Sequence, residues 1–209
     1  MYTLYYAPGT AAMLVHLVLL EADVPCSLMP VDLSAGEQRT PAYLALNPGG
    51  VVPTLVVDGE PHSEAAAMAM LLTERHPEAR LAPAFGSAAR ADYLQWMLYL
   101  ANTLQPAFRE WFYPDEHVPE ALEGIRAAAR IKIEGAWKRL DAHLAEHGPY
   151  MLGKTFSVVD LYVTMLMRWA RNMPRPATDS PHLAELARRI KARPSWKELY
   201  RIEQLSEWA

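Results

Sequence analysis

The chain of 209 residues has one cysteine, Cys26, so it can form no intramolecular disulfide and carries no Cys-x-x-Cys redox pair. Its opening ten residues lack the basic segment and apolar core of a secretory leader, and the expected compartment is the reducing cytoplasm. Long apolar runs are also missing. The stretch Ala11 to Leu20 contains His16 and falls short of the ~20 residues that a spanning helix needs, so no membrane segment is expected. There is no run of five like charges and the formal net charge is −4, which argues against a nucleic-acid partner. Lysine is absent from residues 1 to 80, where three arginines face nine acids; residues 81 to 209 carry 17 bases and 15 acids. Two halves of different character are implied. What is present is the makeup of a globular chain with a real core: 51% hydrophobic residues, 21% charged, and a mean hydropathy of −0.07.

Thr3 to Tyr6 reads as a short strand, Pro8-Gly9 breaks it, and Ala11 to Ala22 reads as an apolar helix. Cys26 to Val31 is a second strand, which completes a parallel crossover unit. A short helix is expected around Pro41 to Leu46. Pro53 to His62 reads as a β-hairpin around Asp58-Gly59, because Asp-Gly supplies the positive φ angles of a tight turn. Ser63 is the expected cap of a helix from Glu64 to about Arg75. The first half therefore spells βαβ, α, ββα. Residues 76 to 87, with two prolines and a glycine, read as a linker. Beyond it everything looks helical: Arg90 to Tyr113, Pro119 to His147, Ser157 to Met173, Pro181 to Ala192, and Ser195 to about Glu203. The expected domains are residues 1–78, of α/β class, and residues 87–209, all helical.

One helix start is unusually well specified. Ser157 and Asp160 stand three apart, flanked by Phe156 and Leu161, which is a capping box with a hydrophobic staple. It stabilises a helix end by about 1–2 kcal/mol.

This order of elements, with Val52-Pro53 before the hairpin, Ser63-Glu64-Ala65 after it, and Gly153 to Asp160 late in the chain, resembles the cytosolic glutathione S-transferases. Tyr5-Tyr6-Ala7-Pro8-Gly9, His16, Tyr43-Leu44, Asn47-Pro48 and Arg168-Trp169-Ala170 are most similar to the bacterial beta class. The resemblance implies a thioredoxin-like domain followed by a helical one, a homodimer, and one glutathione site per subunit. It implies a cis Pro53, which offers the Val52 N–H and C=O to the cysteinyl part of glutathione as an added strand would. It implies that Glu64 takes the γ-glutamyl ammonium and the Ala65 N–H its carboxylate, at a helix N-terminus. Gln38 and Arg39 are left for the glycyl carboxylate, and Ala65 stands where many relatives have serine.

The pattern also departs from the family. Beta-class relatives place Cys and Ser two and three residues after Pro-Gly; here those positions are Ala11 and Ala12. The family histidine of the first long helix is replaced by Gln105, which can hydrogen-bond glutathione but cannot act as a base. Transfer needs the thiolate, and a free thiol with pKa about 8.5 is only a few per cent ionised at pH 7. Thr10 and Tyr6 are the expected catalytic hydroxyls, Tyr5 lies beside them, and the N–H groups of residues 11 and 12 are a backbone alternative. Turnover is expected to be weak. Phe108, Phe112 and Trp169 are the expected lining of an apolar electrophile pocket, with Gln105 on the same helix face as the two phenylalanines.

His143 and His147, four apart with Glu146, match a zinc-ligand spacing, but Gly148-Pro149 ends the helix and no third ligand is evident; no metal is expected. Cys26 reads as a buried strand residue. The leading reading is a transferase that conjugates glutathione to hydrophobic electrophiles. The alternatives are a non-catalytic carrier of glutathione or hydrophobic ligands, and a protein-interaction module of the stringent-starvation type.

Overall fold

The computed structural model describes residues 1–114 and 121–209. Their contacts form two compact units, Met1–Ala82 together with Lys191–Ala209, and Pro83–Ile190.

The first unit is built on a four-stranded sheet of order β2-β1-β3-β4, with β1 at Tyr2–Tyr6, β2 at Cys26–Pro30, β3 at Thr54–Val57 and β4 at Glu60–His62. β1 pairs parallel with β2 (Leu4 opposite Leu28) and antiparallel with β3 (Tyr5 opposite Thr54). The parallel pair needs a crossover, and α1 (Ala12–Glu21) supplies it. All residues of α1 from Ala12 to Leu19 are buried, which explains why its sequence is apolar all round rather than striped. In the β3–β4 turn Asp58 and Gly59 take φ of 54° and 97°, the two positive angles expected of Asp-Gly. α2 spans Pro41–Leu46, capped by Thr40, and α3 spans Ala65–Arg75.

The expected Ser63 cap of α3 is not formed. Glu64 is the N-cap residue, at φ 70° and ψ 98°, and this left-handed step moves Ser63 one residue outside the cap position. Pro53 is cis, as expected, and Pro149 is cis as well.

In the second unit the expected helix 90–113 is divided. α4 (Ala89–Tyr99) passes through a π-helical turn at Leu100–Leu104 into α5 (Gln105–Phe112). Pro106 accounts for the break: it lacks an N–H and its ring crowds the carbonyl four residues back, a conflict that a wider turn relieves. α6 is described from Leu122 to His147; its expected start at Pro119 lies outside the described residues. α7 (Val158–Trp169) is buried from Val158 to Arg168 and begins with the expected capping box. Asp160 accepts the Ser157 N–H and the Met151 N–H, each at 2.8 Å. Burial pushes its carboxyl up, to about 7, against the pull of these donors. α7 stops short of the expected Met173, because the Ala170 N–H is shared between the Leu166 and Met167 carbonyls in a tightening last turn.

α8 (Pro181–Lys191) is followed by α9 (Pro194–Ile202). Arg193, just before α9, grips Glu21 of α1 through two hydrogen bonds of 2.6 and 2.7 Å, and Ser195 donates to the same carboxylate. A bidentate pair of this kind fixes orientation as well as distance. α9 therefore belongs with the first unit.

Candidate functional site

Two turns of the first unit carry the candidate site. The first runs from Ala7 to Ala11, between β1 and α1. Thr10 donates its hydroxyl proton to the Ala7 C=O at 2.7 Å and accepts the Ala12 N–H at 3.3 Å. A hydroxyl has one proton, so in this arrangement Thr10 offers a thiolate lone pairs only. Gly9, at φ 74°, gives its N–H to Glu203 at 2.9 Å. Among the described residues the Ala11 N–H has no partner, and it lies at the start of α1, where helix donors point outward.

Tyr6 is 8% exposed and its ring lies 6.0 Å from that of His16, in a tilted arrangement. Burial first, and the Glu203 charge second, push its phenol up, which keeps the O–H protonated as a donor. No partner meets that O–H among the described residues. Tyr5, on the opposite sheet face, packs edge-on against Tyr43.

The second turn is 47–53. Asn47 donates to the Val51 C=O at 2.9 Å and to the Thr54 Oγ1 at 3.1 Å, while the Tyr43 O–H donates to the Val51 C=O at 2.8 Å. The Gly49 N–H returns to the Asn47 Oδ1 at 3.0 Å. Asn47, Tyr43 and Thr54 are all buried. This clamp uses the Val51 carbonyl and leaves the N–H and C=O of Val52 without partners among the described residues. A short extended ligand can add to such an edge.

Glu64 stands at the N-terminus of α3, exposed and in a left-handed conformation that a non-glycine residue adopts only when its surroundings enforce it. The Ala65 N–H, in the first turn of α3, has no partner among the described residues. An acidic side chain beside free amides suits a zwitterionic amino-acid end. Gln38 and Arg39 lie in a short 3-10 turn; the Arg39 guanidinium is laid over Gly49-Gly50, 3.5 Å from the Gly49 C=O, and the Gln38 Oε1 is buried without a partner. A side chain at 50 would meet Arg39 at 2.7 Å, so glycine is what admits the guanidinium there.

In the second unit Phe108 is fully buried, stacked with Phe112 at 6.0 Å and edge-on to Trp169 at 5.7 Å. Phe112 is 45% exposed and Trp169 is half-buried, so these two present the apolar surface of the cluster and Phe108 backs it. Gln105 follows the π-helical turn directly and accepts the Tyr162 O–H, so its NH2 keeps its donor capacity. His143 is taken up by the Met151 C=O at 2.9 Å and by the Trp96 ring. Among the described residues no group of three or more His, Cys, Asp or Glu could hold a metal ion, and no helix is long and apolar enough to cross a membrane.

Two groups escaped the sequence reasoning. The Tyr43–Asn47–Thr54 clamp left a faint signal in the Asn47-Pro48 turn. Glu203 left none, because its partners are 187 and 194 residues away.

A thioredoxin-like domain followed by a helical one is the class that the fold defines. The glutathione S-transferase N-terminal domain matches residues 4–80 and the C-terminal domain of the same family matches residues 123–201. A glutathione S-transferase of Xanthomonas campestris, GST-4.5, is 31% identical over 80% of this chain and 81% of its own. A Sulfitobacter glutathione transferase homologue, solved with bound glutathione, has 27% identity and a TM-score of 0.90 over 98% of this chain and 99% of its own. The beta-class glutathione S-transferase of Sphingomonas chungbukensis has 26% identity and a TM-score of 0.84, over 98% and 100%. The chain belongs to the glutathione S-transferase family.

Proposed function

We propose that this transferase binds glutathione on the two turns of its first unit and activates the thiol without a side-chain cysteine or serine. The observation that carries the reading is the set of groups without partners among the described residues at the two turns and at the start of α3: the N–H and C=O of Val52, the Ala11 N–H, and the Ala65 N–H beside Glu64. The Val52 groups pair with the cysteinyl backbone. Glu64 and the Ala65 N–H hold the γ-glutamyl ammonium and carboxylate, and Gln38 with Arg39 meets the glycyl carboxylate.

The sulfur is met by the Ala11 N–H and the Tyr6 O–H, with Thr10 bracing the turn through Ala7. Lowering a thiol pKa by one unit takes about 1.36 kcal/mol of differential stabilisation, within reach of two such donors. The thiol proton passes to solvent, the thiolate attacks an electrophilic carbon, and the leaving group departs with the bonding pair. In the second unit Phe112 and Trp169, backed by Phe108, offer apolar surface suited to hydrophobic compounds. The exposed Leu94 and Leu98 of α4 favour a homodimer, and the lone thiol of Cys26 favours a cytoplasmic setting.

Calorimetry with glutathione, followed by conjugation of a chlorinated nitrobenzene, tests the reading. Saturable binding with measurable conjugation is expected. No heat at millimolar glutathione contradicts it.

A further inference from the structure

Glu203 lies one residue beyond α9 and its carboxylate is completely shielded from solvent. Its Oε2 accepts the Gly9 N–H at 2.9 Å, and its Oε1 lies 3.0 Å from the Nδ1 of His16, a side chain 3% exposed in the middle of α1. A buried carboxylate is unfavourable unless its oxygens are met, and an apolar side chain would fill the same space without that penalty. The two partners it meets are the turn and the helix that bound the free Ala11 N–H. The other titratable groups around this pair are Tyr6, whose ring faces His16, and Glu198 on α9, which also senses His16.

We propose that Glu203 is a positioning residue for the thiolate: it anchors Gly9 directly, and α1 through His16, so that the Ala11 N–H is held in line for the sulfur. The proposal rests on the reading of the Ala7–Ala11 turn given above. Gly9 sits at φ 74° and samples both signs of φ readily, so the turn it belongs to needs an external anchor to keep one conformation. Hydrogen bonds weaken steeply as they bend away from linearity. A site that activates sulfur with a backbone amide cannot recover a misaligned donor by rotating a side chain, so the anchor matters more here than where Cys or Ser does the work.

The test is Glu203→Gln in the full chain, read by thermal unfolding, by glutathione affinity, and by the pH dependence of the thiolate absorbance of bound glutathione. Glutamine keeps the shape but replaces one oxygen by an NH2, which faces either the Gly9 N–H or the His16 Nδ1, whose donor or acceptor role follows the ring tautomer. The thiol pKa should rise by about one unit and kcat/KM at pH 6.5 should fall about tenfold, with the affinity for glutathione changed less than threefold. A lowered melting temperature with an unchanged thiol pKa shows a merely structural role and overturns the proposal. If Glu203→Gln does not fold, Glu203→Asp keeps the charge and both acceptors but shortens the reach. A pKa rise of about half a unit is then expected, and none overturns the proposal. An intact chain whose bound glutathione shows no thiolate below the pH of the free thiol overturns the transferase reading of the turn as well, which separates the two failures.

Discussion

The turns 7–11 and 47–53, which the proposed function puts on one ligand, are held by different means. The second is clamped from within its own neighbourhood, by Tyr43, Asn47 and Thr54, at sequence separations of two to eight residues. The first is braced locally through Thr10, which bonds Ala7 and Ala12, and is also anchored from afar by Glu203, which reaches Gly9 across 194 residues. A locally closed loop loses little entropy on ordering, whereas a distant anchor works only once the whole unit has folded. The turn 47–53 is therefore held locally, whereas the turn 7–11 is also tied to the end of the chain.

This contrast can be broken at several points. Glu64→Ala should have the largest effect on binding: losing a charge-assisted contact to the ammonium should weaken glutathione binding about thirtyfold, as calorimetry reads it. Asn47→Ala should weaken binding about tenfold and destabilise the fold by about 1–3 kcal/mol, because the Thr54 hydroxyl and the Gly49 N–H each lose a buried partner. Tyr6→Phe should lower kcat/KM about tenfold with little change in affinity, since it removes a donor to sulfur only; equal activity would leave the amide as the sole activator. Thr10→Val should leave kcat/KM within about threefold and lower stability by about 1 kcal/mol. A large loss of rate with intact stability would return Thr10 to a direct catalytic role.

The smallest effect concerns Cys26. Burial pushes its thiol up to about 11, so alkylation should be about a hundredfold slower than that of a free thiol at pH 8. It should quicken about tenfold per pH unit until the thiol ionises. Conjugation activity should be unaffected by the modification if Cys26 has no part in it.

Much of this architecture is written locally. Asp58-Gly59 announces the hairpin and Ser157 with Asp160 announces α7, because each signal lies within one turn of chain and its physics needs no distant partner. The groups expected to hold the γ-glutamyl end, Glu64 and Ala65, were legible for the same reason. Where the cause was tertiary, reading the chain failed. Ser63 looked like a cap because its residue type suits one, but the backbone takes a left-handed step at Glu64 that nothing in the local sequence announces. The π-helical turn could have been suspected from Pro106, yet helical periodicity runs straight through it. Thr10 and Tyr6 were found as residues, but which of them keeps a free proton depends on the Ala7 carbonyl and on His16. Glu203 was invisible: nothing near it in the chain indicates a buried carboxylate.

The central claim is that a chain with alanine at positions 11 and 12 still ionises bound glutathione. The direct measurement is a pH titration of thiolate absorbance on the intact protein saturated with glutathione. A midpoint about one unit below that of the free thiol is expected. A midpoint equal to that of free glutathione, with binding intact, would contradict it.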